Sequence, residues 1–310
     1  LMLDYLALAA VAAVLREGSF DKAAAVLGVT PSAVSQRVKG LEERLGVALV
    51  ARGAPCLPTP IGARLCAHFE RVKLLEADIA GELAGLAGQK DERPTLRVAV
   101  NSDSLATWFP LAAAQFTAAS GALLDLVLDD EAHTAERLRT GEVMAAVSAD
   151  PAPVAGCKIH PLGALDYAAV ASPTFHAAHF ANGVIGRALR SAPMLRFDRR
   201  DELQFRWMRE DCGEVALPPT HWAPSTHGML ELTLAGLGWS MAPISMATPL
   251  LAQGRLVELQ PLHRIAVPLN WQRTRLNTQL LDVMTRAVRQ VAAQWLRPLA
   301  GQAEPGRNSR

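Results

Sequence analysis

The chain has 310 residues, of which 50% are hydrophobic and 20% are charged, and its formal net charge is +1. This length exceeds one small hydrophobic core and predicts about two or three domains, and the moderate charge excludes a disordered or basic low-complexity protein. The small net charge does not exclude nucleic acid as a partner, because a local basic patch binds phosphate groups when acidic surface lies elsewhere.

The cysteine spacing and the first apolar segment are typical of a soluble cytoplasmic protein. The apolar run over residues 6–15 follows Asp4 and has no Lys or Arg before it, unlike a signal peptide, and about ten residues are too few to span a bilayer. The cysteines form no CxxC pair and no zinc-binding spacing, so we expect reduced thiols, no metal and no cofactor. They are Cys56, Cys66, Cys157 and Cys212.

Three short amphipathic helices are predicted in the first 46 residues. Gly18 ends the first helix and Ser19 caps the second, whose small alanines allow a third helix to cross it closely. The third helix has the clearest start signal, because Thr30 is a good N-cap and Pro31 suits the first helical position. The apolar face of the first helix consists of Leu3, Leu6, Ala7, Ala10, Val11 and Val14.

The predicted third helix has an apolar stripe and a separate polar face. Short polar groups and one cation on an exposed helix face fit the major groove of DNA, where they can bond base edges and phosphates. An ordinary three-helix bundle with a solvated polar face gives the same pattern. The apolar stripe is Val34, Val38, Leu41 and Leu45, and the polar face is Ser32, Ser35, Gln36 and Lys39.

The string SFDKAAAVLGVTPSAVSQRVKGLEERLGVALVAR resembles the DNA-binding head of LysR-type transcriptional regulators along its whole length. In that family TPSAVSQRVKGLEERLG is the recognition helix, and VALVARGAPCLPTPIG is similar to the wing and the turn into a linker helix. The resemblance implies a winged helix-turn-helix domain over residues 1–58. It also implies DNA contact by Thr30, Ser32, Ser35, Gln36, Arg37, Lys39 and Arg52.

A long connecting helix is predicted to begin at Thr59 and Pro60, and residues 88–94 form a polar hinge. A helix over residues 60–87 would extend roughly 40 Å, and its apolar seam needs a partner. The seam could pack against its own domain. We favour pairing with a second chain, because the linker helix of LysR-type proteins makes their dimer and a dimer carries two heads that can read two half-sites. We therefore expect a homodimer or homotetramer, with residues 59–94 as linker and hinge. The seam is Leu65, Phe69, Val72, Glu76, Ile79, Leu83 and Leu86.

From Thr95 onward, short apolar strands alternate with helices, which predicts an α/β domain over residues 95–300. Its two lobes, residues 95–160 with 266–300 and residues 161–265, resemble the periplasmic-binding-protein-like effector domain of LysR-type regulators. Residues 301–310 are expected to be a disordered tail. The predicted strands are 96–100, 123–128 and 143–148, which are parallel, then 168–171, 194–197, 222–224, 239–242 and 265–271, followed by a helix over 276–295.

Candidate ligand residues follow the first two strands of this domain. Asn101, Ser102 and Ser104 come after the first strand, where hydroxyl groups and a helix N-terminus could hold a carboxylate. Asp103 or Ser102 can cap the helix that follows this strand. Three acids and a histidine follow the second strand, beside the same expected crevice. Together they indicate a ligand that is anionic at one end and cationic at the other, although N-capping and helix-dipole pairing explain each residue about as well. The second group is Asp129, Asp130, Glu131 and His133.

Four segments resemble the ArgP/LysG branch of the family, also described as IciA-type: NSDSLATWF, DLVLDDEAHTAERLRTGEV, GCKIHPLGALDY and HWAPSTHG. Members of that branch sense lysine and arginine, so the resemblance implies a basic amino acid as the effector and control of amino acid export or metabolism. It also assigns Ser172, Thr226 and His227 to the second-lobe side of the cleft. The tract HFANGVIGRALRSAPMLRFDRRDELQFRWM is only loosely similar to the branch.

An architectural role is the alternative function, because IciA-type members inhibit replication initiation at the chromosomal origin and the same head would serve there. An enzyme is not predicted, since the chain contains no GxSxG, Walker A, HExxH or dinucleotide-binding motif. The expected partners are double-stranded DNA, a small-molecule effector and a second copy of the chain, with RNA polymerase as a further candidate and no membrane.

Overall fold

The computed structural model describes residues 3–87, 93–128, 131–212, 217–261 and 263–299. The N-terminal head consists of three helices, α1 (Tyr5–Glu17), α2 (Phe20–Leu27) and α3 (Pro31–Leu45), and two short antiparallel strands, β1 (Val50–Ala51) and β2 (Leu57–Pro58). A long helix, α4 (Pro60–Ala87), follows directly. The head therefore has the order of elements that a winged helix-turn-helix requires.

The caps and the apolar stripe of α3 agree with the sequence prediction. The Thr30 hydroxyl oxygen accepts a hydrogen bond from the Ala33 N–H at 3.2 Å, and Pro31 occupies the first turn. Val34, Val38 and Leu41 are buried in one cluster with the apolar face of α1, except for Leu6, which was predicted on that face but is 68% exposed. Burial of this stripe leaves the opposite, polar face of α3 toward solvent.

The short strands are tied to both neighbouring helices. The Glu42 carboxylate accepts hydrogen bonds from the Leu49 N–H at 2.7 Å and the Val50 N–H at 3.1 Å, which fixes the end of α3 to β1. The Thr59 hydroxyl donates to the Ala48 carbonyl at 2.8 Å. A Cβ atom at Gly62 would lie 2.0 Å from the Leu49 carbonyl oxygen, so only glycine allows this approach of α4 to the head.

Helix α4 packs partly within its own chain and leaves part of its seam exposed. Phe69 packs against the head cluster, and Leu74 is buried in the core of the following domain. The Gln279 N–H donates to the Asp78 carboxylate at 2.9 Å. Ile79 is 58% exposed, which is high for a large apolar side chain, and the side chains of the seam residues Leu83 and Leu86 lie outside the described part. One section of the seam is thus left for a partner.

The C-terminal region is a mixed α/β fold, as the sequence predicts. Its strands are β3 (Thr95–Val100), β4 (Leu123–Leu128), β5 (Ala145–Ser148), β6 (Cys157–Ala171), β7 (Met194–Arg196), β8 (Thr220–Trp222), β9 (Ser240–Pro243), β10 (Val257–Glu258) and β11 (Arg264–Thr274). Its helices are α5 (Ser102–Ala106), α6 (Phe109–Ser120), α7 (Glu131–Thr140), α8 (Pro173–His179), α9 (Gly186–Ser191), α10 (Leu203–Cys212), α11 (Thr226–Leu234), α12 (Ile244–Ala252) and α13 (Gln279–Trp295).

Two long strands join the halves of this region. The sheet order is β10-β6-β11-β5-β3-β4, with β9 also paired to β6, and β3 is parallel to both β4 and β5 as expected. Strands β6 and β11 are antiparallel along their length. At one end of this pair, β11 is hydrogen-bonded to β5, and at the other end β6 is hydrogen-bonded to β9 and β10. We call the half with β3, β4 and β5 the first lobe and the half with β7 to β10 the second lobe.

The length of β6 and β11 differs from the sequence prediction, which expected a break near Pro161 and a short strand starting at residue 168. The structure continues the strand through Pro161 and Gly163, because these two residues pair with the consecutive residues Asn270 and Leu269 of β11 and the extra residue, Leu162 of β6, forms a bulge. Strand β8 lies two residues earlier than predicted, and α13 begins at Gln279 rather than at residue 276. These shifts leave the order of elements unchanged.

Candidate functional site

The polar face of α3 is exposed on the head. Ser32, Gln36 and Lys39 are exposed, and Ser35 and Arg37 are half-buried. The Lys39 ammonium lies 3.5 Å from a Glu43 carboxylate oxygen, a weak pair because both side chains are more than 60% exposed. The Thr30 side chain is also exposed, although its hydroxyl oxygen is engaged in the helix cap. The arrangement presents amide, hydroxyl and cationic groups from one rigid helix.

Arg52 directly follows β1 and is exposed. Its guanidinium lies 5.3 Å from the centroid of the Phe20 ring at the start of α2, within the range of a cation–π contact. The contact restricts the side chain without neutralising its charge. Arg52 therefore offers a positioned cation next to the wing.

The second candidate site is a cleft between the two lobes, and its central residue is Asp103 on α5. The Asp103 carboxylate accepts a hydrogen bond from the Thr226 hydroxyl at 2.6 Å and another from the Tyr167 hydroxyl at 2.6 Å. Thr226 begins α11 in the second lobe, and its hydroxyl also lies 2.8 Å from the Ser102 hydroxyl. The two contacts of Thr226 connect α5 of the first lobe to α11 of the second, and the third contact joins α5 to Tyr167 on β6.

The environment of Asp103 disfavours its negative charge. Burial raises the pKa of the Asp103 carboxyl, the hydrogen bonds from Thr226 and Tyr167 lower it in part, and the nearby charge of Asp201 raises it again. These donors are neutral hydroxyl groups, and no ion pair among the described residues involves Asp103. A positive charge placed in the cleft would therefore be stabilised by this carboxylate.

The cleft itself has a volume of about 60 Å³, several times the roughly 10–15 Å³ that one water molecule needs. Its wall includes both acids, Asp103 and Asp201, together with Tyr167 and Thr226. Apolar side chains such as Met229 complete the lining. A mostly apolar cavity with a few polar groups from two lobes is the usual form of a small-molecule site.

The residues predicted after the first strand are close to the cleft but have internal partners. The Asn101 side-chain oxygen caps α5 by accepting from the Ser104 N–H at 3.3 Å, a position that the sequence assigned to Ser102 or Asp103. Ser104 is wholly buried and accepts from the Trp108 indole N–H at 3.1 Å. Ser102 contacts Thr226, as described above. Of this group, Ser102 lies nearest to the acid pair.

Of the other predicted ligand residues, only Thr226 is found in the cleft lining of the described structure. Asp129 and Asp130 lie outside the described residues, and so do the side chains of the other two members of that group, Glu131 and His133. Ser172 is buried and caps α8 by accepting from the Phe175 N–H, which places it away from the cleft lining. His227 is exposed and is also absent from the lining, whereas its neighbour Thr226 forms part of it.

Asp103, Tyr167 and Asp201 line the cleft but were not predicted as ligand residues. Asp103 was considered only as a helix cap, although an acid that follows a buried strand by so few residues is a signal for a ligand site. Tyr167 lies inside the strand segment GALDY, where a buried tyrosine is indistinguishable from core. Asp201 lies in the tract that resembles the branch only loosely, so neither pattern nor resemblance selected it.

Neither a metal centre nor a membrane segment is found in the described part of the chain. No group of three or more His, Cys, Asp or Glu residues there is arranged to hold a metal ion. No described helix is both long and apolar enough to cross a membrane. Cys56, Cys66 and Cys157 are free thiols.

Two family models match the chain. The model "Bacterial regulatory helix-turn-helix protein, lysR family" matches residues 6–63, and the model "LysR substrate binding domain" matches residues 89–293. The HTH-type transcriptional regulator ArgP of Pseudomonas fluorescens is 42% identical over 297 residues, which span 96% of this chain and 99% of that protein. The chain belongs to the LysR-type transcriptional regulators.

Solved structures place this LysR-type regulator in the ArgP/LysG branch. ArgP from Mycobacterium tuberculosis superimposes with a TM-score of 0.79 at 39% identity, covering 96% of this chain and 100% of that one. Full-length LysG from Corynebacterium glutamicum, solved with its bound effector arginine, gives a TM-score of 0.69 at 37% identity and covers the same shares. The predicted family, branch and fold are therefore confirmed.

The family identity decides among the functions considered from the sequence. The chain is a DNA-binding transcriptional regulator, because its relatives are named as such over nearly their whole length. Its relatives are named as transcriptional regulators and not as enzymes. The architectural, IciA-type alternative is not favoured.

Proposed function

We propose that lysine or arginine is the effector of this LysR-type regulator and that it binds in the cleft between the lobes. The observation that carries the proposal is the Asp103 carboxylate, which faces a cavity and has only neutral hydroxyl donors as partners. A cationic group entering the cleft would supply the missing charge. The arginine bound to a LysG of 37% identity supports the same class of ligand.

The contacts between the lobes suggest how the effector changes the molecule. Thr226 and Tyr167 occupy the Asp103 oxygens in the present arrangement, and a ligand cation would compete with them for the same oxygens. Because Thr226 comes from the second lobe, exchanging these bonds alters the contact between the lobes. A ligand regulates only if it binds one lobe arrangement better than the other, and this exchange provides such a difference.

For DNA contact, we propose the same residues that were predicted from the sequence. We propose that the Gln36 amide bonds base edges in the major groove, because it is exposed in the middle of the polar face of α3. Lys39 and Arg52 would bind phosphates from α3 and the wing. Arg37 is half-buried, so we expect it to reach only the backbone. The remaining members, Thr30, Ser32 and Ser35, would contact the backbone or adjacent bases.

Two further proposals concern organisation. The exposed part of the α4 seam supports pairing with a second copy of the chain, which would place two heads on two half-sites. We retain the division into a head over 1–58, a linker over 59–94 and an effector domain over 95–300. A regulator of this kind is proposed to act in the cytoplasm, where its DNA lies.

Isothermal titration calorimetry of the full chain tests the effector assignment. Lysine, arginine and several neutral amino acids would be titrated separately under identical conditions. The proposal predicts heat of binding for lysine or arginine and a weaker response, or none, for neutral amino acids. Binding restricted to neutral or aromatic amino acids would reject it.

A further inference from the structure

A second acid, Asp201, faces the cleft from the lobe opposite to Asp103. It lies between β7 and α10, and its side chain lines the same cavity. Its negative charge is close enough to Asp103 to help raise the pKa of that carboxyl group. The cleft therefore contains two acids, one contributed by each lobe.

The Asp201 carboxylate is held in a fixed orientation by neutral donors. One oxygen accepts from the Phe197 N–H at 3.0 Å and from the Gln204 side-chain amide at 3.1 Å, and the other accepts from the Leu203 N–H at 3.2 Å. Gln204 is itself wholly buried and donates to the Leu195 carbonyl at 2.9 Å. None of these donors contributes a positive charge.

A neighbouring cation, Arg196, supports the Asp201 backbone instead of its carboxylate. The Arg196 Nε–H donates to the Asp201 carbonyl oxygen at 2.7 Å, and the side chain is only 8% exposed. Its guanidinium lies 4.5 Å from the Phe205 ring centroid and 5.0 Å from that of Trp222. Arg196 is thus a positioning residue that fixes the loop, while its charge is directed to carbonyl groups, aromatic faces and the Glu202 carboxylate, 3.4 Å away.

The two acids in the cleft favour ligands that carry two positive groups. No ion pair among the described residues joins a cation to Asp103 or Asp201, so the charge of Asp201 adds to the unfavourable environment of the Asp103 carboxylate. A neutral amino acid brings one positive group, its α-ammonium, whereas lysine and arginine bring two. The ligand carboxylate is left to main-chain N–H and hydroxyl donors in either case.

The geometry points to Asp201 as the residue that makes the cleft select doubly cationic amino acids over neutral amino acids of the same shape. This inference rests on the proposed function, since it presumes that amino acids bind beside Asp103. It assigns the two acids different roles: Asp103 is needed for any amino acid, and Asp201 sets the preference for a second positive charge.

Matched ligand pairs provide the test. Citrulline has the shape of arginine with a neutral urea group, and norleucine has the length of lysine without its ammonium. Calorimetry on the full chain would give the ratio of arginine to citrulline affinity, and likewise of lysine to norleucine. Asp201→Asn should reduce these ratios by about tenfold or more, since hydrogen bonds to charged groups contribute roughly that much.

Control variants separate the charge from other effects. Glu202→Gln removes the same charge one residue away, from a side chain that is 66% exposed and outside the cleft lining. Its amide oxygen can still accept from Arg196, as the Glu202 carboxylate does at 3.4 Å, so the ratios should stay unchanged. Asp201→Glu keeps the charge and should preserve most of the preference. Asp201→Ser is a second neutral variant for the case in which Asp201→Asn does not fold.

The possible outcomes separate the role of Asp201 from the assignment of lysine or arginine as effector. Reduced ratios in a folded neutral variant, with normal ratios in Glu202→Gln, support the inference. Unchanged ratios in a folded neutral variant overturn it while leaving the effector assignment intact. If the unaltered chain binds neither lysine nor arginine, the proposed function itself fails.

Discussion

Replacement of Asp103 by Asn should change the stability of the chain little but weaken ligand binding strongly. Burial raises the pKa of the Asp103 carboxyl above its ordinary value of 3.8, so the folded chain binds more protons than the unfolded chain between 3.8 and the raised pKa. The free energy of unfolding therefore falls as pH rises through this interval. Asp103→Asn removes the titrating group, and this decline should become shallower.

The size of each effect follows from the contacts. The Asn side chain keeps one acceptor oxygen for the Thr226 hydroxyl, while its amide can donate to the Tyr167 oxygen, so we expect a change in unfolding free energy at neutral pH of about 1 kcal/mol or less. Loss of the charge partner of a bound cation should cost about 2–5 kcal/mol of arginine binding, or roughly 30-fold or more in affinity.

Two assays on the same preparations check this prediction. Thermal unfolding followed by circular dichroism, at several pH values without ligand, reports stability, and calorimetry reports arginine affinity. A structural role for Asp103 would instead give a variant that loses several kcal/mol of stability and loses affinity only in proportion. Unchanged arginine affinity in a folded variant would refute the assignment of the cation to Asp103.

Three further substitutions test the head. Gln36→Ala should weaken operator binding and reduce discrimination between operator variants by about 1–3 kcal/mol, and unchanged preference in a competition gel-shift assay would mean that the recognition face is misassigned. Lys39→Ala should weaken binding to all sequences alike and lower the slope of log affinity against log salt by about one, whereas an unchanged slope would show that Lys39 contacts no phosphate. Gly62→Ala should destabilise the head by several kcal/mol in denaturant unfolding, because its Cβ would lie 2.0 Å from the Leu49 carbonyl oxygen; a stability within about 0.5 kcal/mol of the original would disprove this packing constraint.

Local signals were sufficient to predict the head. The cap at Thr30, the proline after it and the apolar spacing of Val34, Val38 and Leu41 each depend on neighbours within one or two turns, and all appear in the structure. The parallel strands β3, β4 and β5 were predicted for the same reason. Strand β6 was harder, because Pro161 and Gly163 indicate a break locally, and only its pairing with β11, in which Leu162 of β6 is bulged, shows that the strand continues.

The ligand cleft could be predicted only in part, because it is assembled by contacts between distant residues. Asp103 and Thr226 are 123 positions apart, and no periodic pattern relates them. Thr226 was selected by resemblance, but Asp201 lies where the resemblance is loose. Asn101 turns its side chain toward the main chain and caps α5, whereas Asp103 turns its carboxylate toward the cleft. No local signal in the sequence shows which of the two side chains takes which role.

Determination of the structure with arginine bound addresses the effector claim most directly. We expect arginine between the lobes, with its nitrogen atoms at hydrogen-bond distance, about 2.7–3.1 Å, from the Asp103 carboxylate oxygens. An empty cleft at saturating arginine, or arginine bound on the acids that follow β4 and away from Asp103, would contradict it.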